Sequence, residues 1–255
     1  MTAAITFKNV TKKYLSLSGE TTAVDRFHCT IPEGEFVGIV GPSGCGKSTL
    51  LSMLAGLFPP TGGEILLFHE PVTGPSPVIG YMLQQDYLLP WRTILDNVWI
   101  GLEIRGQKTT EQIEYAKSLL YEMGLEGTEQ KYPHQLSGGM RQRASLVRTL
   151  AVRPKILLLD EPFSALDYQI KLQLEDLIAR TLQKHKITSV LVTHDLGEAI
   201  AMCDRVLVMA NRPGRLKNIV NVPEEIRALS PLEAREHVEF HKLFRKLWGD
   251  LQNVE

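Results

Sequence analysis

The chain has 255 residues, a length that fits one large domain or two modest ones. Hydrophobic residues make up 44% of it and charged residues 22%, which is ordinary for a globular protein. With 28 Lys and Arg against 29 Asp and Glu, the formal charge is −1, which argues against a nucleic-acid binder that relies on a broad basic surface.

The lengths of the apolar runs and the spacing of the cysteines argue against a membrane-spanning, secreted or disulfide-stabilised protein. The longest apolar runs, such as Val206–Ala210, hold five residues, whereas a membrane-spanning helix needs about 20. Residues 1–13 lack the basic flank and apolar core of a secretory signal. Cys29, Cys45 and Cys203 are odd in number and far apart, which argues against a disulfide framework or a cysteine-based zinc site. These features predict a soluble, cytosolic protein.

Short apolar runs rich in β-branched residues alternate with segments of helical period, which predicts an α/β fold. The residues up to about 35 carry strand signals only, so we expect an N-terminal antiparallel β layer. Ile156–Leu159 and Val190–Val192 are unbroken apolar runs, as expected for strands buried on both faces of a mainly parallel sheet. The predicted strands are Ile5–Val10, Phe36–Val40, Ile65–Phe68, Val78–Met82, Ile156–Leu159, Ser189–Val192 and Arg205–Met209.

Helices are predicted most clearly where capping residues flank a segment whose apolar residues recur at helical spacing. Thr109 precedes Gln112 at the spacing of a capping box, and Gly124 supplies the stop. Because residues 91–150 read as helical and lie between predicted strands, we expect a helical subdomain inserted into the α/β core. The predicted helices cover residues 47–57, 109–123, 137–152, 170–182 and 230–251.

A glycine-rich loop follows the strand Phe36–Val40 and opens a helix, which is the context expected for the G-x-x-x-x-G-K-[ST] pattern. Its backbone N–H groups would point at phosphate oxygens. Lys47 would place its ammonium against the β- and γ-phosphates, and Ser48 would offer its hydroxyl to Mg²⁺. The predicted nucleotide site comprises Gly41, Pro42, Ser43, Gly44, Cys45, Gly46, Lys47, Ser48 and Thr49, with Cys45 as a bystander.

Two acids end the apolar strand that begins at Ile156. Burial of a carboxylate charge at the end of such a strand costs free energy unless the carboxylate binds a cation or takes part in phosphate chemistry. Asp160 would hold Mg²⁺ directly or through water. Glu161 would orient or deprotonate the attacking water.

The run Leu136-Ser137-Gly138-Gly139-Met140 resembles the signature of ABC-type ATPases, with Met140 at a position that tolerates variation. Ser137 and the two glycines start a predicted helix, whose free hydroxyl and N–H groups suit an anion. The resemblance implies that this anion is the γ-phosphate held by a partner protomer. It therefore implies a head-to-tail dimer with ATP sandwiched in the interface.

The remaining elements of the family occur in order along the chain. Gln84 matches the glutamine that links the core to the helical subdomain and senses Mg²⁺ and the attacking water. His194 matches the switch histidine at the γ-phosphate, and Tyr14 is expected to stack on adenine through its aromatic face. The segment that resembles the D-loop, which contacts the opposite ATP site, is Ser164, Ala165, Leu166 and Asp167.

The resemblance implies one nucleotide-binding domain over residues 1–255 with a P-loop ATPase core. Within it, residues 1–90 and 151–222 would form the α/β core. Residues 91–150 would form the helical subdomain with the signature, and residues 223–255 a C-terminal helical extension.

Residues 86–98 resemble ATP-binding subunits of bacterial importers of nitrate, sulfonates and taurine, and residues 211–215 also look like that group. Leu89 and Trp91 are the expected contacts with a membrane permease. The implied protein is a Mg²⁺-dependent ATPase at the cytoplasmic face of the cell membrane. Its partners would be a second nucleotide-binding subunit, the permease and, indirectly, a solute-binding protein, with no nucleic acid.

Two points stay open at the level of sequence. A homodimer is favoured because each ATP-site element is present, but a heterodimer with a paralogue also fits. The alternative function is a soluble ABC-type ATPase that is not coupled to transport, such as one that serves iron–sulfur assembly.

Overall fold

The computed structural model describes residues 2–17, 19–164 and 166–252. Within them the strands are β1 (Ala3–Ser16), β2 (Gly19–Pro32), β3 (Phe36–Val40), β4 (Gly62–Leu67), β5 (Glu70–Pro71), β6 (Ile79–Met82), β7 (Ile156–Asp160), β8 (Thr188–Val192), β9 (Arg205–Met209) and β10 (Leu216–Asn221). The helices are α1 (Lys47–Leu54), α2 (Ile94–Val98), α3 (Ile100–Ile104), α4 (Thr110–Glu122), α5 (Gly138–Ala151), α6 (Tyr168–His185), α7 (Leu196–Met202), α8 (Glu224–Arg227), α9 (Pro231–Glu236) and α10 (Val238–Gln252).

The strands form two sheets. A four-stranded antiparallel sheet has the order β2-β1-β4-β5, which confirms the expected N-terminal layer. A six-stranded sheet has the order β10-β9-β3-β8-β7-β6 and is parallel except for the pair β9 and β10. In a parallel sheet the carboxyl ends of the strands meet at one edge, so the loops after β3, β7 and β8 lie together there.

Two hydrophobic cores cover the two faces of the parallel sheet. In β7, Ile156 and Leu158 point into a core shared with α1 and the antiparallel sheet. Leu157 and Leu159 point to the opposite side, into a core shared with α5, α6 and α7. This alternation buries both faces of the strand, as its unbroken apolar sequence predicts.

Most predicted elements are present, but the sequence pattern did not predict α7 or α8, and two of the predicted helices differ from the structure. α1 ends at Leu54 rather than residue 57 because Gly56 takes a φ of 75° and lies so close to Gly74 that a Cβ would be 2.1 Å from its carbonyl oxygen. The C-terminal helix divides at His237, whose extended backbone (φ −75°, ψ 139°) separates α9 from α10.

The residues after 230 cover the surface of the core. Ser230 and Glu233 form the capping box of α9, and Phe240, Leu243 and Leu247 of α10 are buried. Among the helices of the described residues, none combines the length and apolar character needed to cross a lipid bilayer.

Candidate nucleotide site

The phosphate-loop sequence leaves β3 and enters α1 through two glycines in the left-handed region. Gly44 has a φ of 74° and Gly46 a φ of 99°, conformations that side chains rarely adopt. The Lys47 ammonium turns back into the loop and donates to the carbonyl oxygens of Gly41 at 2.8 Å and Pro42 at 3.0 Å. Lys47 is only 6% exposed, so the loop is curled around a buried cation.

A second segment, residues 210–215, supports this loop from outside. Arg212 donates from Nε to the Gly44 carbonyl oxygen at 3.0 Å. Gly214 donates to the carbonyl oxygen of Ala23 at 2.9 Å. A Cβ on Gly214 would lie 2.0 Å from the Cys45 carbonyl oxygen, so only glycine allows this approach. The contact of these residues with the loop has no local signal in the sequence, which carries only their resemblance to the importer group.

Asp160 lies at the carboxyl end of β7 with hydroxyl groups on both sides. Ser48 donates from Oγ to Oδ1 and Tyr81 donates from its hydroxyl to Oδ2, each at 3.2 Å. Burial raises the pKa of Asp160, and burial followed by the Asp160 charge raises the pKa of Tyr81, which keeps Tyr81 a donor. Tyr81 is absent from the predicted site residues, although its position near the end of the neighbouring strand β6 is a signal for it.

Glu161 follows in a backbone conformation that is uncommon for a non-glycine residue, with a φ of 47°. Its N–H donates to the Val192 carbonyl oxygen at 2.9 Å, which joins the turn after β7 to the end of β8. The turn places the side chain toward two predicted site residues. His194 Nδ1 lies 3.3 Å and Gln84 Nε2 lies 3.4 Å from Oε2 of Glu161.

The D-loop segment is divided between the cluster and its own helix. Ser164 accepts from Gln84 Nε2 at 3.1 Å and donates to the Glu161 carbonyl oxygen at 3.1 Å. Asp167 instead caps α6, where its Oδ1 accepts from the Ile170 N–H at 3.1 Å. Leu166 is half-buried, and Ala165 lies outside the described residues.

The signature segment lies at the start of α5. Ser137 is exposed and caps the helix, accepting from the Met140 N–H at 3.3 Å, and Gly138 is exposed beside it. Leu136 is buried and Met140 is half-buried. Gly139 is buried, and a Cβ there would lie 2.5 Å from Ile170 Cγ2, so this glycine permits α5 to pack on α6.

Side chains of α5 also hold the segment that follows Gln84. Gln142 donates from Nε2 to the Gln84 carbonyl oxygen at 3.0 Å. Arg148 donates to the carbonyl oxygens of Asp86 at 2.6 Å and Tyr87 at 2.7 Å. Side chains of the helix that carries the signature therefore donate hydrogen bonds to carbonyl oxygens of the segment that carries Gln84, and these bonds join the two.

The expected adenine contact lies on β1, and the expected permease contacts lie in the segment between β6 and α2. Tyr14 on β1 is 42% exposed and meets Phe58 edge-on with ring centroids 6.3 Å apart. Trp91 is 72% exposed, Leu89 is half-buried and Leu88 is buried in the core. The roles of these residues stay predictions, and Trp91 is the more exposed of the two expected permease contacts.

The sequence is similar to those of known ATP-binding proteins. Residues 24–164 match the protein family described as ABC transporter. The chain is 50% identical over 247 residues to the uncharacterized ABC transporter ATP-binding protein YtlC of Bacillus subtilis, covering 97% of this chain and 95% of that protein. It is 40% identical over 198 residues to the taurine import ATP-binding protein TauB of Escherichia coli, covering 78% of each.

A solved structure with the same fold is the dimeric, post-hydrolysis state of the ATP-binding cassette MJ0796 bound to ADP and Pi. It superposes with a TM-score of 0.76 at 32% identity, covering 86% of this chain and 99% of that one. The α/β fold with an antiparallel N-terminal sheet, as predicted from the sequence, is confirmed by this similarity.

Proposed function

Because this chain belongs to the ABC transporter family of ATP-binding proteins, we propose that it hydrolyses ATP to power import of a small anion or organic ligand through a separate permease. The observation that supports hydrolysis is the cluster at one edge of the parallel sheet. Glu161 lies within 3.4 Å of both Gln84 and His194, next to the Asp160 and Ser48 pair.

The reaction we propose is attack of water on the γ-phosphorus of ATP, with release of ADP and phosphate. Glu161 takes the proton of the attacking water as it forms the new P–O bond. Both Gln84 and His194 contact Oε2 of Glu161, and among the described residues Oε1 has no side-chain partner. That oxygen is therefore the one assigned to the water. The Lys47 ammonium balances charge on the transferred phosphoryl group.

The donor set beside the loop suits Mg²⁺, which prefers oxygen ligands such as carboxylates and hydroxyls. Asp160 and Ser48, whose oxygens lie 3.2 Å apart, would hold the ion, and Gln84 is the third residue assigned to it. When bound, Mg²⁺ neutralises phosphate charge and fixes the orientation of the β- and γ-phosphates.

The second half of each site would come from a partner subunit. Ser137 and Gly138 are exposed at the start of α5, where free N–H groups favour an anion. We propose that they bind the γ-phosphate of ATP on the partner subunit, as a homodimer or with a paralogue. The single domain and its subdivisions described above, and a location at the cytoplasmic face of the membrane, belong to the same proposal.

Coupling to a permease is tested by replacing Trp91 with alanine. We expect ATP hydrolysis by the isolated protein to stay within about twofold of the original. Trp91 is exposed and is not assigned to the ATP site, so its replacement should leave the fold and the catalytic residues largely unchanged. Co-purification of an integral membrane protein from detergent-solubilised host membranes should fall several-fold, since exposed aromatic anchors dominate many interfaces.

The matched control for this experiment is Tyr121→Ala, since Tyr121 is 67% exposed on α4, comparable with the 72% of Trp91. It should leave recovery of the membrane partner unchanged. Equal recovery with Trp91→Ala would remove Trp91 from the interface. Failure of the unaltered protein to recover any membrane protein would favour the soluble alternative.

A further inference from the structure

The side chains of Thr193, Asp195 and Glu198 hold the turn formed by residues 193–195. The Thr193 hydroxyl donates a short hydrogen bond to Glu198 Oε2 and accepts from the Asp195 N–H at 3.0 Å. Oδ1 of Asp195 accepts from the N–H groups of Gly197 at 2.7 Å and Glu198 at 3.4 Å, which caps α7. Both neighbours of His194 are thus tied to the first turn of α7.

One ammonium group connects these acids to the neighbouring helix α6. Lys171 Nζ lies 2.6 Å from Asp195 Oδ2 and 2.6 Å from Glu198 Oε1. The side chains of Lys171 and Glu198 are only 14% and 5% exposed. The Lys171–Glu198 pair is therefore shielded from water, where a charged hydrogen bond contributes more than it does at a surface, whereas the Asp195 side chain is partly exposed.

The charges around the turn make this bridge necessary. Burial raises the pKa of Glu198. Burial also acts to raise the pKa of Asp195, but the hydrogen bond and charge of Lys171, together with the N–H groups of Gly197 and Glu198, lower it overall. Burial acts against the Lys171 ammonium, but its two acidic partners raise its pKa. Removal of the ammonium would leave the buried Glu198 carboxylate without its cation and next to the partly exposed Asp195 carboxylate. Separation of the two acids would displace the turn that carries His194.

We propose that Lys171 is a positioning residue for ATP hydrolysis, which acts by fixing the 193–195 turn so that His194 keeps its contact with Glu161. The two ends of the connection are the 2.6 Å bridges of Lys171 and the 3.3 Å approach of His194 Nδ1 to Glu161. The inference rests on the proposed function, because it assigns Lys171 a part in that reaction.

The test compares Lys171→Met with the unaltered protein in steady-state ATP hydrolysis. We expect kcat to fall about 10- to 100-fold, because small displacements of reacting groups are costly, while KM for ATP changes less than about threefold. Lys171→Arg, which can still reach both carboxylates, should recover most of kcat. A kcat of Lys171→Met equal to the original would overturn the proposal.

Dependence on His194 is tested by a double-mutant cycle. If Lys171 acts through His194, Lys171→Met should add less than about twofold to the loss in kcat caused by His194→Ala. Additive losses would show that Lys171 acts by another route and would overturn the proposal. Absence of hydrolysis by the unaltered protein would instead contradict the proposed function.

Loss of stability is separated from loss of positioning by two further variants. Arg205→Met breaks a comparably shielded pair, since Arg205 Nε lies 2.7 Å from Glu35 Oε1 with side chains 15% and 18% exposed, at the opposite ends of the strands. It should lower Tm without lowering kcat, and an equal fall in kcat would contradict the proposal. If Lys171→Met does not fold, the double variant Lys171→Met/Glu198→Gln removes the ammonium together with one acidic charge. We expect it to fold and to keep the reduced kcat. A normal kcat in this double variant would contradict the proposal.

Discussion

Replacement of Glu161 by glutamine is expected to reduce ATP hydrolysis by about 100- to 10,000-fold while ATP still binds. Glutamine keeps the shape of the side chain and can still accept from His194 and Gln84, which lie 3.3 and 3.4 Å from Oε2. It has no carboxylate to take the proton of the attacking water. Phosphate release measured under saturating ATP, together with an ATP-binding titration, separates the two effects.

The same variant should accumulate as an ATP-bound dimer, because closure would no longer be followed by hydrolysis. Size-exclusion chromatography with light scattering should show the dimer with ATP and the monomer without it. The control is Glu64→Gln, since Glu64 pairs with Lys8 on the exposed surface of the antiparallel sheet and should leave the rate unchanged. An original rate of hydrolysis in Glu161→Gln would exclude Glu161 from the catalytic role.

Replacement of Lys47 by alanine is expected to weaken ATP binding about 10- to 100-fold, as expected for loss of a hydrogen bond from a charged donor. The ammonium lies 2.8 and 3.0 Å from two carbonyl oxygens of the loop, so the variant loses both the cation for the phosphates and a link within the loop. Isothermal titration with ATP and Mg²⁺ measures the affinity, and thermal unfolding measures the loss of the link.

A matched variant is Lys246→Ala, because Lys246 is exposed on α10. Its affinity for ATP should equal that of the original protein. If Lys47→Ala also bound ATP with the original affinity, the loop would not be the phosphate site. If binding fell in both variants alike, the effect would not belong to Lys47.

The sequence predicted the parts of the site that depend on local pattern. The apolar run before Asp160 indicated a buried strand, and the glycine spacing before Lys47 indicated a phosphate loop. The fold confirmed the sheet on which both lie. Such features are readable because a strand period, a cap or a tight turn involves residues within a few positions of one another.

The missed features depend on residues far apart in the chain. Arg212 reaches the Gly44 carbonyl across 168 positions, and Lys171 reaches Asp195 across 24. Neither pairing has a local signal, because the fold brings the groups together only after the sheet is assembled. The close packing of Gly139 on Ile170 is similar, because a glycine at the start of a helix carries no local signal of the neighbouring helix that it packs against.

The side chains of α5 bind residues 84–87 largely through hydrogen bonds to main-chain carbonyl oxygens, which every amino acid has. Arg148 holds the carbonyl of Tyr87 while that residue stays in the left-handed region at a φ of 43°, with its ring 58% exposed. The side chain at position 87 can therefore be exchanged, most easily for glycine or asparagine, without loosening the joint. The side chain exposed at position 87 can therefore change during evolution without loss of the hydrogen bonds that join α5 to this segment.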